Sequence, residues 1–168
     1  TLFPSTPLFR SPLVASDPTE ASVSPASLTF TTGNWNVAQT VTVTGVNDAV
    51  VDGPVAYTIV TAAAVSTDAT YNTRNAPDVL VTNSDNDAAG ITVAPPGPLA
   101  TTEAGGTATF TVALTTQPTA DVTIALSSSD TTEGTVGPAG LTFTTLNWQT
   151  PQTVTVTGVD DAVVDGPQ

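Results

Sequence analysis

The chain has 168 residues and a net charge of −13, because fifteen acidic side chains are opposed by two arginines and no lysine. A phosphate backbone is bound through a basic footprint, so we expect no nucleic-acid partner. With no Cys and no His, the chain cannot form disulfides and lacks the usual zinc and copper ligands. No apolar run approaches the length of a bilayer span, and we expect no membrane insertion of this segment.

The first predicted feature is a proline-rich N-terminal segment, TLFPSTPLFRSPL. Pro4, Pro7 and Pro12 cannot donate hydrogen bonds to a β ladder, which predicts that the segment lies at a sheet edge or in a linker.

Alternation of apolar and polar residues predicts β-strands through the rest of the chain. In TATFTVAL, residues 107–114, the apolar side chains occupy every second position and share one face. Turn sequences rich in Asp, Gly and Pro separate the predicted strands. In chain order, the other strands are predicted around Leu28 and Phe30, Val41 and Val43, Val55 to Ile59, Val79 and Val81, Val122 to Leu126, Leu141 and Phe143, and Val154 and Val156.

A long internal repeat organises these strands. Residues 13–54 recur as residues 126–167, so that Leu141 is the counterpart of Leu28 at a shift of 113 residues. The period fits one small β domain and predicts two modules: residues 1–88, with N-terminal strands missing or atypical, and residues 89–168, with C-terminal strands missing. The predicted fold is all-β, with tandem immunoglobulin-like antiparallel β-sandwich modules of about seven strands each.

Most acidic residues fall at predicted strand ends, where the loops of a sandwich converge. Two carboxylates 4 Å apart repel by about 1 kcal/mol in water and about 4 kcal/mol at an effective dielectric of 20. Because basic residues are scarce, relief requires a bound cation or full solvation. Carboxylate and carbonyl oxygens are calcium ligands, whereas solvated turn residues are the alternative reading. Composition alone leaves both open.

Three stretches carry a resemblance to a known family: TTEAGGTATFTVAL, GLTF followed by TVTVTGVDDAVVDG, and VTNSDNDAAGITV. In these the chain resembles the Calx-beta domain, a module of sodium/calcium exchangers, integrin β4 and bacterial surface repeats. The resemblance implies a seven-stranded immunoglobulin-like sandwich. It also implies calcium ligands from a Glu after the first strand, a middle-loop acid, an acidic pair with a following acid, and a terminal acidic triplet.

Transferred to this sequence, the resemblance implies the following ligands. Glu103 matches the first-strand Glu, and the middle-loop acid is Asp130 or Glu133 in the second copy and Asp17 or Glu20 in the first. The acidic pair and following acid are Asp160, Asp161 and Asp165, with Asn47, Asp48 and Asp52 as first-copy equivalents, and Asp85 and Asp87 match the triplet. Asn47 and Asn86 stand where the pattern has acids, which lowers the charge of the first-copy site.

The resulting functional hypothesis is a structural extender repeat of a secreted or cell-surface bacterial protein, such as an adhesin, matrix protein or filament. Calcium (Ca2+) at the module poles and junction would supply rigidity, and neighbouring modules or identical subunits would be the partners. The alternatives are a module that recognises a glycan or a surface protein, and a filament subunit that polymerises by strand addition.

Two further expectations concern the tryptophans and enzymatic activity. Trp35 and Trp148 occupy matching Asn-Trp contexts and are predicted to cap the sandwich cores, with glycan stacking as the alternative. We expect no enzymatic activity, since the chain has no His, Cys or Lys and no nucleophile or phosphate-binding motif.

Overall fold

A computed structural model describes residues 7–160 and residue 162, with the backbone alone at residues 7 and 8. These residues form twelve β-strands and no helix, and within them no helical segment exists that would be long and apolar enough to cross a bilayer. All strand pairs are antiparallel. The prediction of an all-β chain is confirmed.

The first of two compact units contains residues 7–48 and 52–85. Its strands are β1 Pro7–Ala15, β2 Ala21–Ser24, β3 Ser27–Thr31, β4 Thr42–Gly45, β5 Val55–Thr61 and β6 Val79–Asn83. They form one sheet in the order β3-β1-β5-β6 and a second sheet of β2 and β4. The buried core consists of Ala15, Ala21, Tyr57 and Ile59, with Val23, Val43 and Val81 packed against it.

The second unit contains residues 49–51 and 86–160. Its strands are β7 Ile91–Ala94, β8 Thr107–Leu114, β9 Val122–Ala125, β10 Gly134–Gly137, β11 Gly140–Phe143 and β12 Gln152–Gly158. They form a sheet in the order β10-β12-β8-β7 and a sheet of β11 and β9. Its core is built on Val112, Leu141, Phe143 and Val154. Contacts thus divide the chain after residue 85, and the sequence-based boundary between residues 88 and 89 stays a prediction.

The repeat extends to strand register. Ala21 lies opposite Gly45 on β2 and β4, and Gly134 lies opposite Gly158 on β10 and β12, each pair shifted by the repeat period. The same holds where the two sequences differ most, since Ser11 faces Leu28 on β1 and β3 while Ile124 faces Leu141 on β9 and β11. Strand register is therefore the same in the two copies even at positions where their side chains differ.

Strand β1 corrects a prediction from the sequence. The prolines placed this segment at an edge or in a linker, yet residues 7–15 lie between β3 and β5. The Pro12 carbonyl accepts a hydrogen bond from the Ala62 amide at 3.0 Å, and the Ser11 hydroxyl donates to the Ala62 carbonyl at 2.9 Å. Ser11 thus supplies the donor that Pro12 lacks, and the strand is tolerated inside the sheet. Pro4 lies outside the described residues.

The tryptophans also differ from expectation. The Trp35 side chain is 62% exposed and does not cap a core, so that prediction is wrong for the first unit; Trp148 is half-buried. In the second unit, the Leu114 amide of β8 donates to the Trp148 carbonyl at 3.0 Å.

Candidate metal site

Three carboxylates meet at one end of the first unit. The side-chain oxygens of Glu20, Asp48 and Asp52 lie within 4.8 Å of one another. Glu20 immediately precedes β2, whereas the two aspartates lie in the loop between β4 and β5. Because β2 and β4 are paired, their adjoining ends bring acids together that are about thirty residues apart in sequence.

Glu20 is the anchored member of this acidic triad. It is 7% exposed, and its backbone carbonyl accepts a hydrogen bond from the Val46 amide at 2.9 Å. The Asn83 side-chain amide donates to Glu20 Oε2 at 3.1 Å and to the Val46 carbonyl at 2.8 Å. Asn83 therefore fixes the carboxylate against the end of β4.

The turn that carries Asp52 has its own anchor. Gly53 adopts a φ of +76°, a left-handed conformation that favours glycine. Its amide donates to Asp85 Oδ2 at 2.9 Å. Asp85, predicted as a ligand, thus holds the turn that positions Asp52.

Hydrogen bonding distinguishes the two candidate middle-loop ligands in each copy, which are Asp17 and Glu20 in the first and Asp130 and Glu133 in the second. The Thr19 hydroxyl and the Thr19 amide both donate to the Asp17 carboxylate and lower its pKa below the ordinary value, with the larger contribution from the hydroxyl. Thr132 does the same for the pKa of Asp130. Asp17 and Asp130 therefore act as turn acceptors, whereas Glu20 belongs to the triad. The threonine two positions after each Asp is a sequence signal that identifies this role.

The second unit repeats the backbone hydrogen bond made at Glu20. The Val159 amide donates to the Glu133 carbonyl at 2.9 Å, the distance found between Val46 and Glu20, and the Glu133 side chain is half-buried. The predicted partners Asp161 and Asp165 lie outside the described residues, while Asp160 is exposed.

Three other predicted ligands are not among the three triad carboxylates, although Asn47 directly precedes Asp48. Asn47 is exposed, and its side-chain amide donates to the Asp48 carbonyl at 3.0 Å. Glu103 is exposed and Asp87 is half-buried, and both belong to the second unit. None of these three residues is part of the triad. Asn83, which the sequence reading did not select, is the additional residue at the site.

The donor set of the triad fits a hard divalent cation. All three groups offer carboxylate oxygens, which calcium prefers and which softer metals do not require. Asp48 and Asp52 are exposed, so water can complete the six to eight ligands that calcium takes. Carboxylate charges at this separation also repel one another. A bound cation would remove that repulsion.

Comparison of the chain with protein-family models, with curated proteins and with solved structures finds no match.

Proposed function

We propose that the chain is a structural repeat, built of tandem immunoglobulin-like sandwiches of the Calx-beta type, that extends a secreted or cell-surface protein. The observation that carries the proposal is the repetition of one β unit with the same strand register in both copies. Repeated units of this kind make long, quasi-linear molecules in which each unit contacts its neighbours. Neighbouring modules or identical subunits are the proposed partners.

Calcium at the acidic triad is the proposed source of stiffness. The support is a largely buried Glu20 beside two exposed aspartates, with oxygens within 4.8 Å. In a chain without lysine, a divalent cation is the natural counter-charge for such a group. The ion would tie the start of β2 to the loop after β4 and so brace one end of the unit.

The test is thermal unfolding with calcium, with magnesium and with chelator. A ligand that binds only the folded state stabilises it by about 2.7 kcal/mol at a hundredfold excess over Kd. We expect calcium to raise the melting temperature more than magnesium does, because magnesium demands stricter octahedral geometry. Equal melting temperatures in all three conditions would remove the ion from the proposal.

Substitutions at the triad sharpen this test, because their effect on stability should have opposite signs in chelator and in calcium. In chelator, Asp52→Asn should stabilise the chain by about 1 kcal/mol, because it removes a repulsion. In calcium the same change should lower the melting temperature, because it removes a ligand. Asp121→Asn is the matched control, since it deletes one exposed charge outside the triad and should behave alike in both conditions.

The extender role has a separate test in solution scattering. Chains of several linked copies should have a maximum dimension that grows in proportion to copy number, as expected for a linear array. A dimension that levels off as copies are added would indicate collapse and contradict the extender role, whatever the calcium result.

A further inference from the structure

The turn that carries Asp52 contains a chemically reactive dipeptide. Asp-Gly occurs at residues 52–53 and again at residues 165–166, each time within the sequence Asp-Ala-Val-Val-Asp-Gly-Pro. In such a pair the glycine amide nitrogen can attack the aspartate carboxyl carbon and close a succinimide ring, because glycine has no side chain to shield its nitrogen. The second pair lies outside the described residues, so the structural argument concerns Asp52 and Gly53.

The surroundings of this pair leave room for ring closure. Asp52 is exposed and Gly53 is half-buried. Apart from the chain neighbours of Gly53, no heavy atom of the described residues lies within 4 Å of the position that a Cβ would take there. Closing the ring therefore displaces no neighbouring group, and water can reach the ring to open it again.

A carboxylate lies beside the amide that has to react. The Gly53 amide donates a hydrogen bond to Asp85 Oδ2 at 2.9 Å, which is within the range for proton transfer to a side-chain base. Asp85 is 32 residues further along the chain. The pairing of Val55 with Asn83 at the adjoining ends of β5 and β6 brings it to this turn.

We propose that Asp52-Gly53 is a site of isomerisation to isoaspartate, with Asp85 as the acceptor of the amide proton. The Gly53 nitrogen bonds to the side-chain carboxyl carbon of Asp52, and its proton passes to Asp85. The carboxyl hydroxyl takes up that proton and leaves as water. A water molecule then adds to the main-chain carbonyl carbon of Asp52, whose bond to the Gly53 nitrogen breaks as the nitrogen regains a proton. Nothing is oxidised or reduced, and the final mass equals the initial mass.

The reaction would take a carboxylate out of the acidic triad. In isoaspartate the main chain runs through the side-chain methylene, and the free carboxylate is bonded directly to the Cα. The carboxylate of residue 52 would then leave its position within 4.8 Å of the Glu20 and Asp48 oxygens. This loss of a calcium ligand rests on the proposed function, whereas the isomerisation itself does not.

The test compares the ageing of the folded parent chain with that of Asp85→Asn, both kept in chelator. The asparagine retains an oxygen that can accept the Gly53 hydrogen bond but takes up a proton poorly. We expect conversion at residue 52 to slow by about tenfold, less than the 10²–10⁴ typical of a base with an optimal pKa. Asp85→Glu, which keeps a carboxylate, should retain more of the parent rate than Asp85→Asn does.

Peptide mapping measures the two Asp-Gly pairs separately. Trypsin cuts after Arg10 and Arg74 and so releases the pairs on different peptides, residues 11–74 and 75–168. Endoproteinase Asp-N cuts before aspartate but not before isoaspartate, so the uncut fraction at residue 52 or 165 gives the conversion there. Residue 165 is the matched control, because its flanking sequence is the same and the Asp85 substitutions should leave its rate unchanged.

Urea provides a second control. In the unfolded chain the contact between Gly53 and Asp85 is lost, so the parent and Asp85→Asn should convert at the same rate at residue 52. Circular dichroism of each variant verifies that the ageing samples without urea are folded.

Three outcomes would overturn the proposal. The first is an equal or faster rate at residue 52 in folded Asp85→Asn, which would mean that the hydrogen bond does not promote the reaction. The second is an equal slowing at residue 165, and the third is conversion of residue 52 in urea but not in the folded parent. Because chelator is present throughout, a failure of the calcium proposal leaves all three measurements unaffected.

Discussion

The cores of the two units differ although their sequences are related. Leu141 and Phe143 are 3% and 0% exposed in the second unit, whereas their counterparts Leu28 and Phe30 are half-buried. Phe30 stacks on Phe9 with ring centroids 4.7 Å apart, a contact that the second unit does not have because Val122 occupies the equivalent position. Burial of a given residue thus depends on its neighbours in the fold, and Phe143 is enclosed in a cluster with Val112, Leu141 and Val154.

The largest expected difference concerns the paired phenylalanines. Phe143→Ala should destabilise the second unit by about 4 kcal/mol, the usual cost for a fully buried ring, and Phe30→Ala should cost the first unit about half as much. Urea unfolding can follow each unit separately, through Trp148 in a Trp35→Phe background and through Trp35 in a Trp148→Phe background. Equal losses would contradict the difference in burial between the two rings.

The sequence Gln-Thr-Val-Thr-Val-Thr-Gly occurs at residues 39–45 and again at residues 152–158, and its two glycines provide a second comparison. A Cβ at Gly158 would overlap the backbone of Thr102, whereas a Cβ at Gly45 would lie 2.6 Å from Asn83 Oδ1, a side-chain atom that can move. Gly158→Ala should therefore cost about 2 kcal/mol, as overpacking against backbone does. Gly45→Ala should cost less in stability.

The Gly45→Ala change has an additional, site-specific effect. Displacing Asn83 weakens its hydrogen bond to Glu20, so the response of this variant to calcium should be smaller than that of the parent chain. Calorimetry with and without calcium measures both quantities. A larger loss for Gly45→Ala than for Gly158→Ala would contradict the assigned contacts.

Hydrogen exchange compares the two Gln-Thr-Val-Thr-Val-Thr-Gly segments without mutation. Amides of residues 39–44 should exchange faster than those of residues 152–157, because among the described residues Thr42–Gly45 pair with one strand and Gln152–Gly158 with two, and less paired strands open at lower free energy. The identical sequences remove intrinsic exchange rates as a cause within the repeated segment. Similar protection at both copies, in a chain shown to be monomeric, would contradict this difference in strand pairing.

The smallest expected effect is in the turn acids. Thr19→Val and Thr132→Val should each raise the carboxyl pKa of the preceding Asp, because each removes the hydroxyl that donates to it. A lowered folded-state pKa contributes stability that is full above the unfolded-state value of about 3.9 and is lost as pH falls through the folded-state value. The variants should therefore lose less stability on acidification. Carboxyl titration by NMR measures the shift, and an unchanged pKa would exclude the hydroxyl as its cause.

The candidate site could be predicted in part from the sequence. Asp48 and Asp52 were predicted together, and Glu20 was one of two candidates that the turn chemistry of Asp17-Pro-Thr separates. Asn83 was not selected, because an amide in an acidic stretch carries no pattern that predicts a contact with a residue 63 positions earlier. The strands β2 and β10 were missed as well, since four-residue strands between turn signals show too little alternation.

The sequence by itself determined the β class, the repeat and the strong acidity of the chain, because side-chain alternation is a local property of extended backbone. Only the tertiary structure decided which copy of each residue is buried and which acids meet. Burial and convergence depend on partners distant in the chain, and the same sequence, Gln-Thr-Val-Thr-Val-Thr-Gly, forms all of strand β12 in one unit but only Thr42–Gly45 of strand β4 in the other.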